Sequence, residues 1–256
     1  MAKTPMLLAA LVLAAAPAFA ENEHSDAGFT NPLSTLQFNP DLDQQEFERA
    51  TYQALQIYDP FEPFNRTIYA FNYRFDQWVF LPVVSGYRYV TPELVQSGVR
   101  NFYSNLLEVP TLVNSALQLK AERVMNSTAR LLFNTIFGVG GLWDPASAMG
   151  LPKWREDFGQ TLGHYGVPAG PYLMLPLIGP SSVRDSSGRI ADYGLERYVN
   201  YLNYADTASD HASLTLLQSI DTRANTPFRY GQFSSPFEYD KLRFLYTEMR
   251  KLQVAD

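Results

Sequence analysis

The segment "PFNRTIYAFNYRFDQWVF", residues 63–80, predicts a helix whose surface is unusual for a protein in water. Large apolar side chains recur at spacings of four, three, four and three residues, at Phe64, Ile68, Phe71, Phe75 and Trp78. Further aromatic rings between these positions leave the helix without an ordinary solvated face. Such a helix belongs either in the centre of a core or at a membrane interface, where Tyr and Trp suit the headgroup layer.

A narrow polar line runs along the same helix. Asn65, Asn72 and Asp76 follow one another at offsets of seven and four residues, so they share one side of the helix. The pattern leaves two interpretations open. The line faces a water-filled path, or it is the wet edge of an otherwise buried helix.

Helical spacing recurs along the rest of the chain, and we expect the first helix to end near Leu81-Pro82. Residues 157–188 are rich in Gly and Pro and predict a long ordered loop, and no strand alternation of useful length appears. The sequence therefore predicts an all-α single domain with Gly/Pro-rich loops. Further helices are predicted from Pro110 and near residues 92–107, 120–137, 207–224 and 236–253.

The first twenty residues are typical of a secretory signal peptide. Lys3 gives a positive start, residues 6–16 are apolar, and residues 18–20 form a small-x-small cleavage site. No later stretch reaches the roughly eighteen apolar residues that a transmembrane helix needs. We expect an exported protein with three parts: signal peptide 1–20, a polar leader with an extra helix over 21–58, and a main domain over 59–256.

Composition excludes several classes of function. The net charge of −6 makes nucleic acid an unexpected partner. The absence of cysteine excludes disulfides, a thiol nucleophile, a thiolate metal site and anchoring through an acylated cysteine. No spacing of other residues suggests a metal site, and we expect no cofactor.

Residues for catalysis are few, and we predict that the protein is not an enzyme. His164, in "TLGHYG" (residues 161–166), is the one histidine in a suggestive setting, and a hydrogen-bonded structural role suits it as well as general base catalysis. Arg184 and Asp185 form a pair that closes a loop, or Arg184 meets a phosphate. The catalytic alternative is a hydrolase that uses His164 with Ser181 or Asp185.

The segment "FGVGGLWDPASAMG", residues 137–150, combines glycines with bulky apolar side chains. Each glycine costs roughly 1 kcal/mol relative to alanine in a helix, so the glycines need a reason. Either they permit hinge motion, or they make a tight connection between helices with Gly140 and Gly141 at positive φ.

Several blocks together resemble the MlaA (VacJ) family. They include "DPFEPFNR" (59–66), "YAFN" (69–72), "FNTIFGVGG" (133–141) and "TLGHYGV" (161–167), and the match extends over about residues 59–250. The resemblance implies a ring of helices in the periplasmic leaflet of the outer membrane, around a central channel for mislocalised phospholipids. It also implies a trimeric porin and a soluble periplasmic lipid carrier as partners. Family members are commonly acylated on cysteine, so this cysteine-free chain must bind the membrane differently.

The resemblance also gives the candidate residues a role. Adjacent apolar and polar stripes would form the wall of a lipid path, and the arginines would offer charge to a headgroup phosphate. We expect a gating hairpin at Gly138, Gly140 and Gly141, and a structural loop at His164, Arg184 and Asp185. With the resemblance, the catalytic alternative becomes a periplasmic lipid hydrolase, and a noncatalytic scaffold for porins or the envelope is the second alternative. The candidates for the lipid path are Asn65, Arg66, Phe71, Asn72, Arg123, Arg130 and Asn134.

Overall fold

The computed structural model describes Leu55, residues 57–232 and residues 237–256. The expected signal peptide, residues 1–20, and nearly all of the expected leader, residues 21–58, lie outside the described residues. Within the described part the chain is mainly helical, which confirms the all-α prediction. None of the described helices is both long and apolar enough to cross a bilayer.

Eleven α-helices occur in the described residues. Each predicted helix has a counterpart among them, whereas several others, including the long helix Val183–Val199, were not predicted. The helix predicted over residues 207–224 is divided in two, at His211. The helices are α1 Glu62–Phe75, α2 Leu81–Val90, α3 Glu93–Leu106, α4 Glu108–Leu117, α5 Ala121–Ile136, α6 Pro145–Ala148, α7 Phe158–His164, α8 Val183–Val199, α9 Tyr204–Asp210, α10 Ala212–Asn225 and α11 Glu238–Ala255.

The first helix does not end where the sequence predicts. A π-helical turn, Asp76–Phe80, joins α1 directly to α2, so the helical path continues to Val90. Pro82 does not stop it because the proline falls in the first turn of α2, a position that proline tolerates.

A small β-hairpin occupies part of the predicted long loop. Strand β1, Tyr172–Leu175, pairs antiparallel with β2, Gly179–Ser182, so that Tyr172 lies opposite Ser182. The prediction of one loop over residues 157–188 is therefore wrong, since the segment holds α7, the hairpin and the start of α8. Four-residue strands are too short for alternation to be visible, and "GPSS" in β2 has none of the usual strand residues.

The helices pack mainly through polar side chains. α4 packs on α5, α7 on α8, and α10 on both α2 and α3, while the hairpin packs on α1. The described residues contain one apolar cluster of buried residues, which we call the hairpin core: Tyr172, Met174, Tyr239 and Leu242. Elsewhere polar or charged side chains outnumber apolar ones among the buried residues. This distribution is the reverse of the usual one in a water-soluble domain.

Candidate functional site

Helix α5 buries polar side chains and exposes apolar ones. Its apolar side chains point away from the protein, and Met125 is 73% exposed. Leu132 and Ile136 follow on the same outer face and are also exposed. The buried residues of α5 are all polar: Arg123, Asn126, Ser127, Arg130 and Asn134.

Arg130 is the centre of the polar packing behind α5. Its side chain is 1% exposed. Its Nε donates to Glu108 Oε1 at 2.8 Å, and its Nη1 donates to the carbonyl of Leu151 at 2.7 Å. Its Nη2 donates to Asp144 Oδ1 at 3.1 Å, and Asn134 Nδ2 donates to the same oxygen at 3.0 Å. The buried charge is therefore compensated, and it ties α5 to α4 and to the segment before α6.

Arg123 forms a second junction at the other end of α5. It pairs with Glu156, and its Nη2 donates to Asp256 Oδ2 at 2.7 Å. The guanidinium also lies 4.3 Å from the centre of the Trp154 ring, within the range of a cation–π contact. This junction joins α5 to the chain before α7 and to the end of α11.

The polar line of α1 faces the β-hairpin. Asn65 Nδ2 donates to the carbonyl of Tyr172 at 3.0 Å, and its Oδ1 accepts from the N–H of Met174 at 2.8 Å. Asn72 repeats the pattern one step along, with the carbonyl of Leu175 at 2.9 Å and the N–H of Leu177 at 2.8 Å. The two asparagines therefore satisfy the open edge of β1, which would otherwise be unpaired.

Asp76, the last residue of the polar line, binds a different part of the protein. Its Oδ2 accepts from Arg223 Nη2 at 2.7 Å, which joins the π-helical turn to α10. The line is thus neither a water-filled path nor a wet edge. It is an internal seam of hydrogen bonds between α1, the hairpin and α10.

Large apolar side chains are exposed on the opposite side of α1 and on the outer side of α5. Trp78 is 76% exposed, and no described contact shields it from solvent. Exposed apolar surface on this scale is rare in soluble monomers and marks contact with lipid or with another protein. We call this set of residues the apolar outer surface: Phe64, Phe71, Trp78, Val83, Met125, Leu132, Ile136, Phe137, Leu142, Trp143 and Met149.

A cleft lies between α8 and α10. It consists of two cavities of about 780 Å³ and about 400 Å³, and Gln218 of α10 lines both. On the opposite wall, Arg189 of α8 lines the larger cavity, and Tyr193 lines the smaller one. We call the two together the interhelical cleft. Leu177 and Ile178 from the hairpin turn, and Leu245 and Met249 from α11, make the larger part apolar.

Burial disfavours the charged form of Glu196, which lines the smaller cavity of the cleft. Burial raises the pKa of Glu196, and the neighbouring carboxylate of Asp192 raises it further. The pKa of Asp192 is also raised by burial, although it accepts hydrogen bonds from the Phe158 N–H at 3.0 Å and from Asn114 at 2.9 Å. Glu196 lines the smaller cavity, whereas Asp192 is held by Asn114 and by the start of α7 and lines neither cavity.

The structure does not bring the predicted lipid-path residues together around this cleft. Asn65, Asn72, Arg130 and Asn134 are buried and bonded to other parts of the protein, so they offer no surface to an open path. Phe71 belongs to the apolar outer surface. Sequence analysis missed Arg189, Tyr193 and Gln218, because no motif marks residues that only the tertiary fold brings together.

The three candidate arginines are all held by carboxylates. Arg66 Nε lies 2.7 Å from Glu62 Oε1 and its Nη2 lies 3.0 Å from Asp240 Oδ1. Arg123 and Arg130 have the partners given above. A headgroup phosphate would have to compete with these pairs.

The glycine segment after α5 is a tight connection. Gly140 and Gly141 have φ values of 69° and 95°, as one of the two sequence interpretations requires. A Cβ on Gly138 would lie 2.2 Å from the carbonyl oxygen of Asn134, and one on Gly141 would lie 2.8 Å from the Asn105 side chain. Gly140 has open space around it. Close packing explains Gly138 and Gly141, and the positive φ explains Gly140, while a gating role stays a prediction.

Asp185 is held by cations and not by a histidine. It accepts from Arg250 Nη2 at 2.9 Å, from Tyr246 at 2.7 Å and from Arg184 Nε at 3.1 Å. Burial alone would raise the pKa of Asp185, but the bonds from Arg250 lower it to about 2. Arg184 and Asp185 thus form an ion pair inside the fold.

The hydrolase constellation is not assembled in the described residues. His164 is exposed at the end of α7 with its ring against Tyr165, and it is not among the partners of Asp185. Ser181 is buried and shares a hydrogen bond of 2.9 Å with Ser186. Nor does the described part of the chain hold a group of three or more His, Asp or Glu side chains placed to bind a metal.

The relatives found by comparison with known proteins include a phospholipid transport lipoprotein and an uncharacterized protein. An Escherichia coli (strain K12) protein named intermembrane phospholipid transport system lipoprotein MlaA is 38% identical over 171 residues, which cover 65% of this chain and 66% of that protein. An uncharacterized protein of Rickettsia prowazekii is 43% identical over 148 residues, 57% of this chain and 59% of the relative. The chain therefore spans about three fifths of the length of this Rickettsia relative.

A solved structure and a family model extend the likeness to most of the domain. The solved structure, described as the structural basis for maintenance of bacterial outer membrane lipid asymmetry, is 35% identical with a TM-score of 0.66. The match covers 77% of this chain and 99% of that one. The model of the MlaA lipoprotein family matches residues 57–253. This chain belongs to the MlaA lipoprotein family.

Proposed function

We propose that the protein is a phospholipid translocation protein of the outer membrane, which removes mislocalised phospholipids from the outer leaflet and passes them to a soluble periplasmic carrier. Its work would maintain the asymmetry of the membrane. The observation that carries the proposal is the inversion of α1 and α5, with hydrogen-bonded polar groups inside and the apolar outer surface outside. Lipid is the solvent in which this arrangement is favourable.

Amphipathic helices that do not cross the bilayer lie in the plane of one leaflet. The apolar outer surface would then contact acyl chains of the periplasmic leaflet, while the buried seams keep the helices together. The chain has no cysteine to acylate, so we propose that this surface, with a trimeric porin as partner, holds the protein in place.

The interhelical cleft is the proposed lipid path. Carrying a lipid with about thirty methylenes through water would cost on the order of 24 kcal/mol, at roughly 0.8 kcal/mol each. Leu177, Ile178 and Met249 would shelter tails in the larger cavity, and Arg189 and Gln218 would meet the polar headgroup. The glycine segment after α5 remains a candidate gate for this path.

The experiment is to block the cleft at the residue that both cavities share. Full-length protein is reconstituted in vesicles with labelled phospholipid, and transfer to acceptor vesicles is followed in the presence of a soluble lipid carrier. We expect Gln218→Trp to slow transfer at least tenfold, since its ring fills the junction. Leu216→Trp is the matched control, because Leu216 is an exposed α10 residue that lines neither cavity.

Two results would contradict the proposal. Transfer that is equal in wild type and Gln218→Trp would exclude the cleft as the path. A wild-type protein that binds porin without accelerating transfer would be the scaffold considered above. Release of fatty acid, lost in His164→Ala, would instead support the hydrolase.

A further inference from the structure

A third cavity lies on the other side of α10. It measures about 240 Å³ and is enclosed by α2, α3 and α10. This is far more than the roughly 10–15 Å³ that one water needs, and less than a drug-sized ligand usually occupies. The cavity is separate from the interhelical cleft, because its α10 residues are Asp221, Ala224 and Asn225, whereas Gln218 and Thr222 face the cleft.

Two polar groups in the wall of this cavity lack partners. Asp221 is only 4% exposed, and its Oδ1 accepts no hydrogen bond. The hydroxyl of Tyr87 is also buried and without a partner. Buried polar atoms are nearly always satisfied, so two orphans lining one cavity indicate that something else binds there.

Charges of both signs line the same cavity without pairing. Within the described residues, Arg88, Arg100, Glu93 and Asp221 form no ion pair, although Arg88 Nη2 donates to the carbonyl of Ala224 at 2.5 Å. Of these four side chains only Asp221 is buried, and the other three also meet solvent at the mouth of the cavity. Arg100 donates only a long hydrogen bond to Ser97 Oγ, at 3.4 Å. The contrast is with Arg130 or Arg250, each of which is held by two carboxylates.

This set of groups fits a ligand that carries both charges. Guanidinium groups bind phosphate through charge-assisted hydrogen bonds, and the Arg88 and Arg100 side chains supply two of them. The carboxylates of Asp221 and Glu93 suit an ammonium group. We propose that this cavity binds a phosphoethanolamine group, in which a phosphodiester and a primary ammonium lie two carbons apart.

A membrane lipid is the source of this group that the surroundings favour. The last turn of α2, which carries Arg88, also exposes Tyr89 and Val90, and the first turn of α3, which carries Glu93, also exposes Leu94. Acyl chains would lie against these three side chains while the headgroup enters the cavity. A free glycerophosphodiester has the same headgroup chemistry but gains nothing from the apolar turn.

Calorimetric titration of the full chain in detergent tests the charge pattern. The probes are glycerophosphoethanolamine, glycerophosphoglycerol and inorganic phosphate. We expect the ethanolamine diester to bind at least tenfold more tightly than the glycerol diester. Asp221→Asn abolishes that preference, whereas Arg100→Gln weakens both diesters about tenfold, and Arg74→Gln, at an exposed arginine of α1, changes neither.

The variants also report on folding. Asp221→Asn removes an unpaired buried carboxylate, so its unfolding temperature stays equal or rises while the preference is lost. Equal affinity for the two diesters in wild type, equal competition by phosphate alone, or an unaltered preference in Asp221→Asn would each overturn the proposal.

A second titration identifies the source. We expect short-chain phosphatidylethanolamine to bind more tightly than the free diester, and the reverse order would overturn the lipid assignment. Gln218→Trp separates this site from the proposed translocation. Gln218 lies outside this cavity, so loss of lipid transfer with retained headgroup binding would assign the two activities to different sites. Retained transfer would contradict the proposed path through the interhelical cleft and would leave the headgroup proposal unaffected.

Discussion

Helix α5 and the hairpin core bury opposite kinds of side chain within one chain. The hairpin core buries Tyr172 and Met174 against α11, as a water-soluble domain does. α5 buries Arg123 and Arg130 and exposes Met125. The difference shows that burial of apolar side chains organises the packing of the hairpin core, whereas burial of polar side chains organises the packing of α5.

The two regions therefore draw their stability from different sources. The hairpin core gains from removing apolar area from water, at about 25 cal/mol per Å². α5 is held by charge pairs and hydrogen bonds that are shielded from water, where breaking one partner leaves the other buried and uncompensated. Five experiments test this contrast, in order of decreasing effect on the free energy of unfolding in detergent.

Arg130→Met should have the largest effect. It leaves the carboxylates of Glu108 and Asp144 without their buried cation, at a cost of about 3–5 kcal/mol. Denaturant unfolding measures the loss, and Arg74→Gln is the control at an exposed arginine. A loss below about 1 kcal/mol would mean that the polar packing behind α5 does not stabilise the helix.

Met174→Ala should cost about 3 kcal/mol, since it opens a void in the hairpin core. Met174 is 1% exposed. The same denaturant titration measures it. A cost near zero would show that this core is loosely packed, and the contrast with α5 would fail.

Acidification should weaken the fold through Asp185. Its pKa is about 2 in the folded chain and about 3.9 when unfolded, so the stabilisation is present above about pH 4 and is lost as the pH falls through 2. The difference amounts to about 2 kcal/mol, which unfolding free energies measured from pH 5 to pH 2 would show. Arg250→Gln should flatten that part of the profile, and an unchanged slope would contradict the assignment.

Comparison of Gly141→Ala with Gly140→Ala distinguishes the cost of close packing from the cost of a left-handed backbone conformation. Gly141→Ala should cost about 2 kcal/mol because its Cβ meets Asn105, whereas Gly140→Ala faces only the left-handed φ, at about 1 kcal/mol. Thermal unfolding of the two variants measures the difference. Lipid transfer by the milder Gly140→Ala variant then tests gating, and an unchanged rate would speak against it.

Met125→Ala should leave the free energy of unfolding within about 0.5 kcal/mol of wild type, as exposed substitutions do. It is the matched partner of Met174→Ala, with the same atoms removed. Flotation with vesicles should nevertheless show weaker membrane binding, since Met125 belongs to the apolar outer surface. Unaltered flotation together with a large loss of stability would place Met125 in a core.

Periodicity located α1, α3, α5, α10 and α11 but missed α8, and it could not show which face of a helix is buried. A repeat of three and four residues identifies which side chains share a face, and the same repeat describes a helix in water and one in lipid. Asn65 and Asn72 therefore looked like the edge of a path, while in the fold they bind the backbone of β1. Their partners lie about a hundred residues away, beyond any local pattern.

The residues that line the interhelical cleft could not be predicted from the sequence for the same reason. Arg189, Tyr193 and Gln218 carry no motif, and only the packing around α8 and α10 brings them to one opening. The ion pair of Arg184 and Asp185 was one of two open interpretations, because adjacent opposite charges pair often. The role of Arg250 as a second partner of Asp185 could not be predicted, because it depends on where α11 packs.

The apolar outer surface also sets a condition on the protein before it meets its membrane. In plain water Trp78 and Met125 would drive copies of the chain to aggregate, since nothing in the described fold covers them. We therefore expect the purified chain to self-associate unless detergent or lipid covers the exposed faces of α1 and α5.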